Sequence, residues 1–347
     1  MGKILFYCEA SWETGSGHVM RCITLANSLS RFNSEIVFLT NEGGKLVIEK
    51  FADFKYQIII TVQNFNISEE IKNLKETLGI DCFIWDSYKM SVDEVEIISQ
   101  NIYSVIIDDV YLLPYYPSHL ILNQNIYANK SRYVTAGYTE VLDGSDYVLL
   151  RESFSQLRNE KKEISATVKK LLLTFGGADD QNLTMRTLEW LESFNAYSLE
   201  VSAVLGSHYQ FHEELKTLLS NNRFHQVTLF NNVTNMAVLL ADQDVVISAG
   251  GSTLYELSCL GIPTISMITA SNQEMLVQTF EANGMTISLG NCKDLNKEDF
   301  LNTFRNIINN RVVRRELSKA SLKLVDGLGA IRVASHIIKR LKECTHA

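Results

Sequence analysis

With 347 residues, the chain is long enough for two domains of ordinary size, each with its own core. Its 46% apolar content and three prolines exclude a long disordered tract, and a formal net charge of −8 argues against a nucleic-acid partner. No apolar run reaches the roughly 20 residues of a membrane span. The N-terminus, MGKILFYCEA, enters a strand pattern directly, without the length or cleavage site of a signal peptide, so a cytoplasmic location is expected. The six cysteines (Cys8, Cys22, Cys82, Cys259, Cys292, Cys344) include no CxxC pair and read as reduced, mostly buried residues.

In chain order, Lys3–Cys8 is a strand, followed by a loop from Glu9 to Gly17 and a helix from His18 to about Arg31 with Val19, Cys22, Ile23, Ala26 and Leu29 on its apolar face. Strands at Glu35–Leu39, Ile58–Ile60, Asp81–Trp85, Ser104–Ile107 and His119–Leu122 alternate with helices at 43–51, at Ser68–Leu78 with Ser68 as cap, and at Ser91–Ser99. This alternation predicts a parallel sheet with helices on both faces over residues 1–150. Residues 151–170, RESFSQLRNEKKEISATVKK, are polar and charged and read as a linker. Over residues 171–347 the alternation restarts. Strands fall at Leu171–Phe175, Leu199–Leu205, Val227–Phe230, 245–247, 262–265 and about Thr286–Leu289. Helices run from Asn182 to about Ser193, His208–Leu219, Asn235–Leu240, Leu254–Leu260 and Gln273–Asn283. Three more helices, Lys297–Asn309, Val312–Val325 and Ala330–Lys342, close the chain. The fold class is α/β, with two parallel-sheet domains in tandem. A cleft between them, at the carboxyl ends of the strands, is the expected ligand site.

The stretch from Asp244 to Ser266 carries the densest signal. A buried strand ends at Ala249-Gly250-Gly251-Ser252-Thr253, where two glycines allow close backbone approach and Ser or Thr caps a helix whose free N–H groups favour an anion. Glu256, about one turn into the helix, is placed either to accept the hydroxyls of a ribose or to stand solvated at a capping turn. In the first half, His18 follows Gly15-Ser16-Gly17 at a helix N-terminus, where the helix dipole favours neutral imidazole, which can act as a general base; the plain alternative is a surface histidine in a glycine turn. Arg21 lies one turn on, in reach of a phosphate or a neighbouring carboxylate. Asp86 and Tyr88 lie just past a strand end, where the tyrosine either binds a sugar hydroxyl, shares a water with His18, or packs at the loop edge. Asp108-Asp109 and Asp179-Asp180 imitate metal ligands at strand ends, and Asp242-Gln243-Asp244 imitates a DxD at the wrong end of its strand; no metal is expected. His208 and His212 have i, i+4 spacing without an acidic third ligand and read as a solvated helix face.

Several motifs in order carry a resemblance: GSGHVMRC (15–22), NQNIYA (123–128), YVLLRESF (147–154), FGGADDQN (175–182), ISAGGSTLYEL (247–257), GIPTI (261–265), Asn272-Gln273 and DGLGAIRV (326–333). Together they resemble the UDP-sugar hydrolases of the pseudaminic-acid pathway and the related spore-coat polysaccharide proteins. The resemblance implies a GT-B fold, two Rossmann-like domains with parallel sheets facing across a cleft. It implies metal-independent, cofactor-free removal of UDP from a UDP-linked diacetamido-trideoxy hexose by water attack at the anomeric carbon. Carried over, His18 activates the water, assisted by Tyr88 and Arg21; Gly177, Gly250, Gly251, Ser252 and Thr253 bind the diphosphate and Glu256 the ribose; Gly17, Asp86, Asn272 and Gln273 reach the sugar. The chain departs from the family pattern at Tyr7-Cys8-Glu9, where Arg-x-Asp is usual, and at Asp86-Ser87-Tyr88, where Asp-His-Tyr is usual. A glycosyltransferase on the same fold, or a nucleotide-sugar-binding protein without catalysis, are the alternatives.

Overall fold

The computed structural model describes residues 2–11, 15–61, 66–158, 163–194, 198–221, 225–231 and 233–346. Residues 12–14 of the Glu9–Gly17 loop and 159–162 of the expected linker lie outside this set. The chain forms two units: one runs to Arg151 and resumes at Gly327, and the other is Glu152–Asp326.

The first unit contains β1 (Lys3–Cys8), α1 (Gly17–Ser30), β2 (Glu35–Thr40), α2 (Glu42–Phe51), β3 (Tyr56–Ile60), α3 (Ile67–Leu78), β4 (Cys82–Asp86), α4 (Val92–Ser99), β5 (Tyr103–Ile107), β6 (Leu120–Asn123) and β7 (Glu140–Asp143). The strands form one parallel sheet in the order β3-β2-β1-β4-β5-β6-β7. Near-continuous apolar runs are what a strand covered on both faces requires. In β1, Ile4, Phe6 and Cys8 enter the core under α1, while Leu5 and Tyr7 enter the opposite core with Phe83, Trp85, Ile71 and Val95. Asn66, and not Ser68, caps α3: its side chain accepts from the N–H groups of Ser68 and Glu69. The edge strand β7 escaped the sequence pattern because it is four residues long with an acid at each end, EVLD, and buries only Leu142.

The second unit contains α5 (Glu152–Arg158), β8 (Lys170–Thr174), α6 (Leu183–Glu192), β9 (Glu200–Leu205), α7 (His212–Asn221), β10 (Gln226–Asn231), α8 (Met236–Ala241), β11 (Val245–Ala249), α9 (Thr253–Leu260), β12 (Thr264–Ile268), α10 (Glu274–Ala282), β13 (Ile287–Asn291), α11 (Lys297–Asn309) and α12 (Arg311–Leu324). Its sheet is also parallel, in the order β10-β9-β8-β11-β12-β13. The start of the segment read as a linker is a folded helix instead. Phe154 of α5 is wholly buried, and the Arg158 guanidinium donates to the carbonyls of Cys259, Leu322 and Val325 at 3.0, 2.5 and 2.8 Å. A charged side chain therefore serves as a C-cap for α9 and α12. α7 starts at His212, so His208 precedes the helix and the two histidines do not share a helical face.

The last helix, α13 (Gly329–His346), belongs to the first unit, where the sequence reading had placed it in the second. Ala330, Val333, Ala334, Ile337 and Ile338 complete the core beneath α1. The return is tight: a Cβ on Gly329 would lie 2.3 Å from the Val148 carbonyl oxygen, so only glycine fits.

Candidate functional site

In each sheet the strand order reverses direction between the first and fourth strands, β1/β4 and β8/β11, and the carboxyl ends at such a point are where doubly wound folds take ligands. In the first unit, α1 begins after β1 without a side-chain cap on its N-terminus and places His18 in its first turn. β4 ends beside it, with Asp86 in register with Cys8. The loop before α1 is anchored by Asn41, whose side chain caps α2 through Gly44 N–H and also exchanges hydrogen bonds with the backbone of Ala10 at 3.2 and 2.9 Å.

His18, Arg21, Asp86 and Tyr88 come together there. Asp86 has no exposure to solvent. Its Oδ1 lies 2.5 Å from His18 Nδ1 and 2.6 Å from Arg21 Nη2, and its Oδ2 takes Arg21 Nε at 2.5 Å. An ionised carboxylate only accepts, so the proton of the imidazole sits on Nδ1 and the lone pair on Nε2. Nε2 has no protein partner among the described residues and is not sealed from solvent. Burial pushes the Asp86 carboxyl up, but the Arg21 guanidinium, with hydrogen bonds from Arg21 and His18, outweighs it and holds the group below its ordinary value. Burial likewise acts to lower Arg21, and the charges of Asp86 and Asp109 more than reverse it. Tyr88 stands edge-on to His18, ring centroids 4.6 Å apart at 86°, and is 42% exposed. Burial and the charge of Asp109 raise its phenol, so it remains a donor.

Asp86 was expected to reach a sugar. Its burial beneath His18 and Arg21 removes it from any ligand; it orients the two side chains instead. Arg21 meets the carboxylates of Asp86 and Asp109. Gly17 is the exposed first residue of α1. The sequence pattern offered Asp109 only as an imitation metal ligand; it binds Arg21 Nη1 at 2.8 Å and the Tyr88 hydroxyl at 3.3 Å. Its position past β5, the strand next to β4, was the available signal. Asp108, its neighbour, accepts the N–H groups of Val110 and Leu112 and the Tyr116 hydroxyl, which makes it part of the turn. Among the described residues no cluster of three His, Cys, Asp or Glu side chains is disposed to hold a metal ion.

In the second unit, β11 runs into Gly250-Gly251 and α9. The expected Ser or Thr cap is absent: Ser252 is already helical in conformation and its side chain makes no cap bond. Gly250 N–H donates to Met267, but the N–H groups of Gly251, Ser252 and Thr253 have no partner among the described residues. Three free donors at one helix start are an arrangement that favours an anion. A Cβ on Gly250 would lie 2.2 Å from Val277 Cγ2 and 3.3 Å from Gln273, whereas one on Gly251 or Gly177 would meet nothing within 4 Å. Gln273 Oε1 accepts from Thr269 N–H and Oγ1 at 2.9 and 3.0 Å, closing the loop beside Gly250; Asn272 is exposed. Glu256 lies half-buried in the first turn of α9. Gly177, past the end of β8, is exposed and its carbonyl accepts from His208 N–H at 3.0 Å. Asp244, at the opposite end of β11, holds Ser165 Oγ and the N–H groups of Lys169 and Lys170, a structural role.

Residues 171–328 match the Glycosyltransferase family 28 C-terminal domain. The spore coat polysaccharide biosynthesis protein SpsG of Bacillus subtilis is 25% identical over 95% of this chain and 96% of its own length. The UDP-2,4-diacetamido-2,4,6-trideoxy-beta-L-altropyranose hydrolase of Campylobacter jejuni is 27% identical over 78% of this chain and 93% of its own.

The chain is a relative of these spore-coat and UDP-sugar hydrolase proteins.

An uncharacterized protein of Methanocaldococcus jannaschii is 30% identical over 76% of the chain, which spans 55% of that relative's length. Among solved structures, MurG of Acinetobacter baumannii superposes with a TM-score of 0.69 over 98% of this chain and 100% of its own, at 12% identity. The fold is GT-B. No helix among the described residues is long and apolar enough to cross a membrane.

Proposed function

We propose that this chain hydrolyses a UDP-linked sugar, releasing UDP and the free sugar for the synthesis of a surface polysaccharide. The observation that carries the reading is His18: a buried carboxylate fixes its Nδ1–H tautomer and leaves Nε2 open. A base held in this way takes a proton from water as the water oxygen attacks the anomeric carbon. The bond from that carbon to the β-phosphate oxygen breaks, and UDP leaves with the electron pair. The free N–H groups at Gly251, Ser252 and Thr253 suit the diphosphate, whose negative charge grows in the transition state. Glu256 would take the ribose hydroxyls, and Asn272 and Gln273 would reach the sugar. The choice of water as acceptor, and of a diacetamido-trideoxy sugar, rests on the Campylobacter relative.

The test is UDP release from the UDP-linked diacetamido-trideoxy altrose and from UDP-N-acetylglucosamine, with EDTA present. Release from the first alone is expected, with one oxygen from labelled water at the sugar's anomeric carbon. His18→Ala is expected to lower kcat by about 10²–10⁴-fold with UDP affinity retained. Turnover only after adding a hydroxyl acceptor would overturn the hydrolase reading in favour of a glycosyltransferase, which the family 28 match of residues 171–328 favours. UDP-sugar binding without turnover under either condition would mean that the chain binds and does not catalyse.

A further inference from the structure

Asp109 has no part in the reading above, yet it binds the guanidinium that lies against the same histidine. It lies in a turn pinned by Asp108 and by Asn125, whose side-chain amide donates to the Asp109 carbonyl at 3.3 Å. Two residues on, Tyr111 has φ +57, a left-handed conformation that a non-glycine residue adopts only where its surroundings impose it. The turn thus has one geometry, and that geometry aims Asp109 Oδ2 at Arg21 Nη1 and the Tyr88 hydroxyl. Asp109 Oδ1 is buried and accepts no hydrogen bond among the described residues, so this carboxylate's charge is poorly compensated.

The guanidinium of Arg21 is consequently divided. Nε and Nη2 serve Asp86, and Nη1 serves Asp109. Two carboxylates against one guanidinium leave one net negative charge while His18 is neutral and none once it is protonated. The ionisable groups around His18 are Asp86 at the end of β4, Tyr88 beyond it, Arg21 and Cys22 on its own helix, Cys8 on β1 behind Cys22, and Asp109 through Arg21. Among the described residues, none from β2, α2 or α13 bonds or pairs with His18. Without Asp109, the positive charge of Arg21, 3.1 Å from His18 Nδ1, would cancel Asp86 and oppose a second positive charge on the imidazole.

We propose that Asp109 is a positioning residue for proton uptake by His18: its carboxylate offsets the charge of Arg21 beside the His18–Asp86 pair, so that imidazolium can form as water attacks. The proposal deepens the functional reading above, and its catalytic arm rests on that reading. Asp109→Asn removes the charge while the amide oxygen can still accept from Arg21 Nη1. The acidic limb of the kcat/KM profile is expected to move to lower pH by about one unit, a tenfold change in proton affinity. The plateau of kcat should fall several-fold as the base weakens, with KM and UDP affinity unchanged. Asp109→Glu should restore most of the profile. A second measurement needs no turnover: the His18 imidazole is titrated by NMR in the wild type and in Asp109→Asn, and its midpoint should move to lower pH in the variant. A shifted midpoint in a protein that cleaves no UDP-sugar would uphold the coupling and overturn the hydrolase reading. An unmoved midpoint with an unmoved pH profile, whatever the loss of rate or stability, would overturn the role given to Asp109.

Discussion

Asp86 is out of contact with water and still ionised, because four donors converge on it: two guanidinium N–H groups, the His18 imidazole and, at 3.6 Å, the Cys22 thiol. Breaking such a set by removing one member costs more than the set contributes as a whole, since the partners remain buried. Asp86→Asn is therefore expected to destabilise the first unit by about 3–5 kcal/mol at pH 7, measured by urea unfolding. The pH dependence has a definite sign. The carboxyl titrates lower in the folded chain than its ordinary 3.8, so its contribution is complete above that value and is lost as pH falls through the lower folded one. The gap between wild type and variant should be widest near neutrality and should narrow in acid. A gap that stays constant from pH 7 downward would mean that the carboxylate's charge is not what stabilises the fold. Sequence spacing put His18, Arg21 and Asp86 near one another but could not tell an orienting carboxylate from a ligand-binding one. That distinction depends on burial, which is set by Arg21 folding back over Asp86 from α1.

At the scale of the element, the strand–glycine–helix unit from β11 to α9 was legible in the residues because its punctuation is local: a β-branched run, two glycines, and Gly261 in the left-handed conformation at the C-cap. The part that was not legible is what each glycine is for. Gly250 is fixed by packing, since a methyl group there would press on Val277 Cγ2. Gly251 has open space around its Cα, so the fold alone would accept alanine there. The two substitutions should separate accordingly. Gly250→Ala is expected to cost about 1–3 kcal/mol, because the bulk must be absorbed by α10. Gly251→Ala should leave the melting temperature near wild type and weaken UDP binding tenfold or more by calorimetry, because the added methyl would occupy the space proposed for the diphosphate. Wild-type UDP affinity in Gly251→Ala would remove this turn as the diphosphate site. α5 was illegible for the opposite reason. Its composition is polar, and the role of Arg158 as a shared cap on α9 and α12 depends on carbonyls 101 to 167 residues away.

For the whole molecule, the consequential feature is that the chain leaves its first unit at Arg151 and returns to it at Gly327. Amphipathic periodicity identified the last helix but is silent on which core an apolar stripe will cover, and proximity in sequence suggested the wrong one. The stripe joins the core that α1 builds over the first sheet, with Val19, Ala26 and Leu29 of α1 and Ile4 and Phe6 of β1. Val333, Ile337 and Ile338 each contribute about 1.5–3 kcal/mol on burial, so removing α13 takes away an amount comparable to the whole stability of a typical domain, about 5–15 kcal/mol. The second unit loses nothing of its own, because both its sheet and its covering helices lie between Glu152 and Asp326. A chain ending at Asp326 is therefore expected to lose hydrogen-exchange protection throughout β1–β7 while keeping it in β8–β13. It should still bind UDP, the ligand proposed for the second unit, and show no turnover. Protection retained in β1–β7 would mean that the sheet is stable without its last helix, and loss of protection in both sheets would mean that the second unit depends on the first for its fold. The expected pattern follows from a covering helix that is the last part of the first unit to be made. That unit cannot complete its core, or settle the helix that carries His18, until the second has been synthesised.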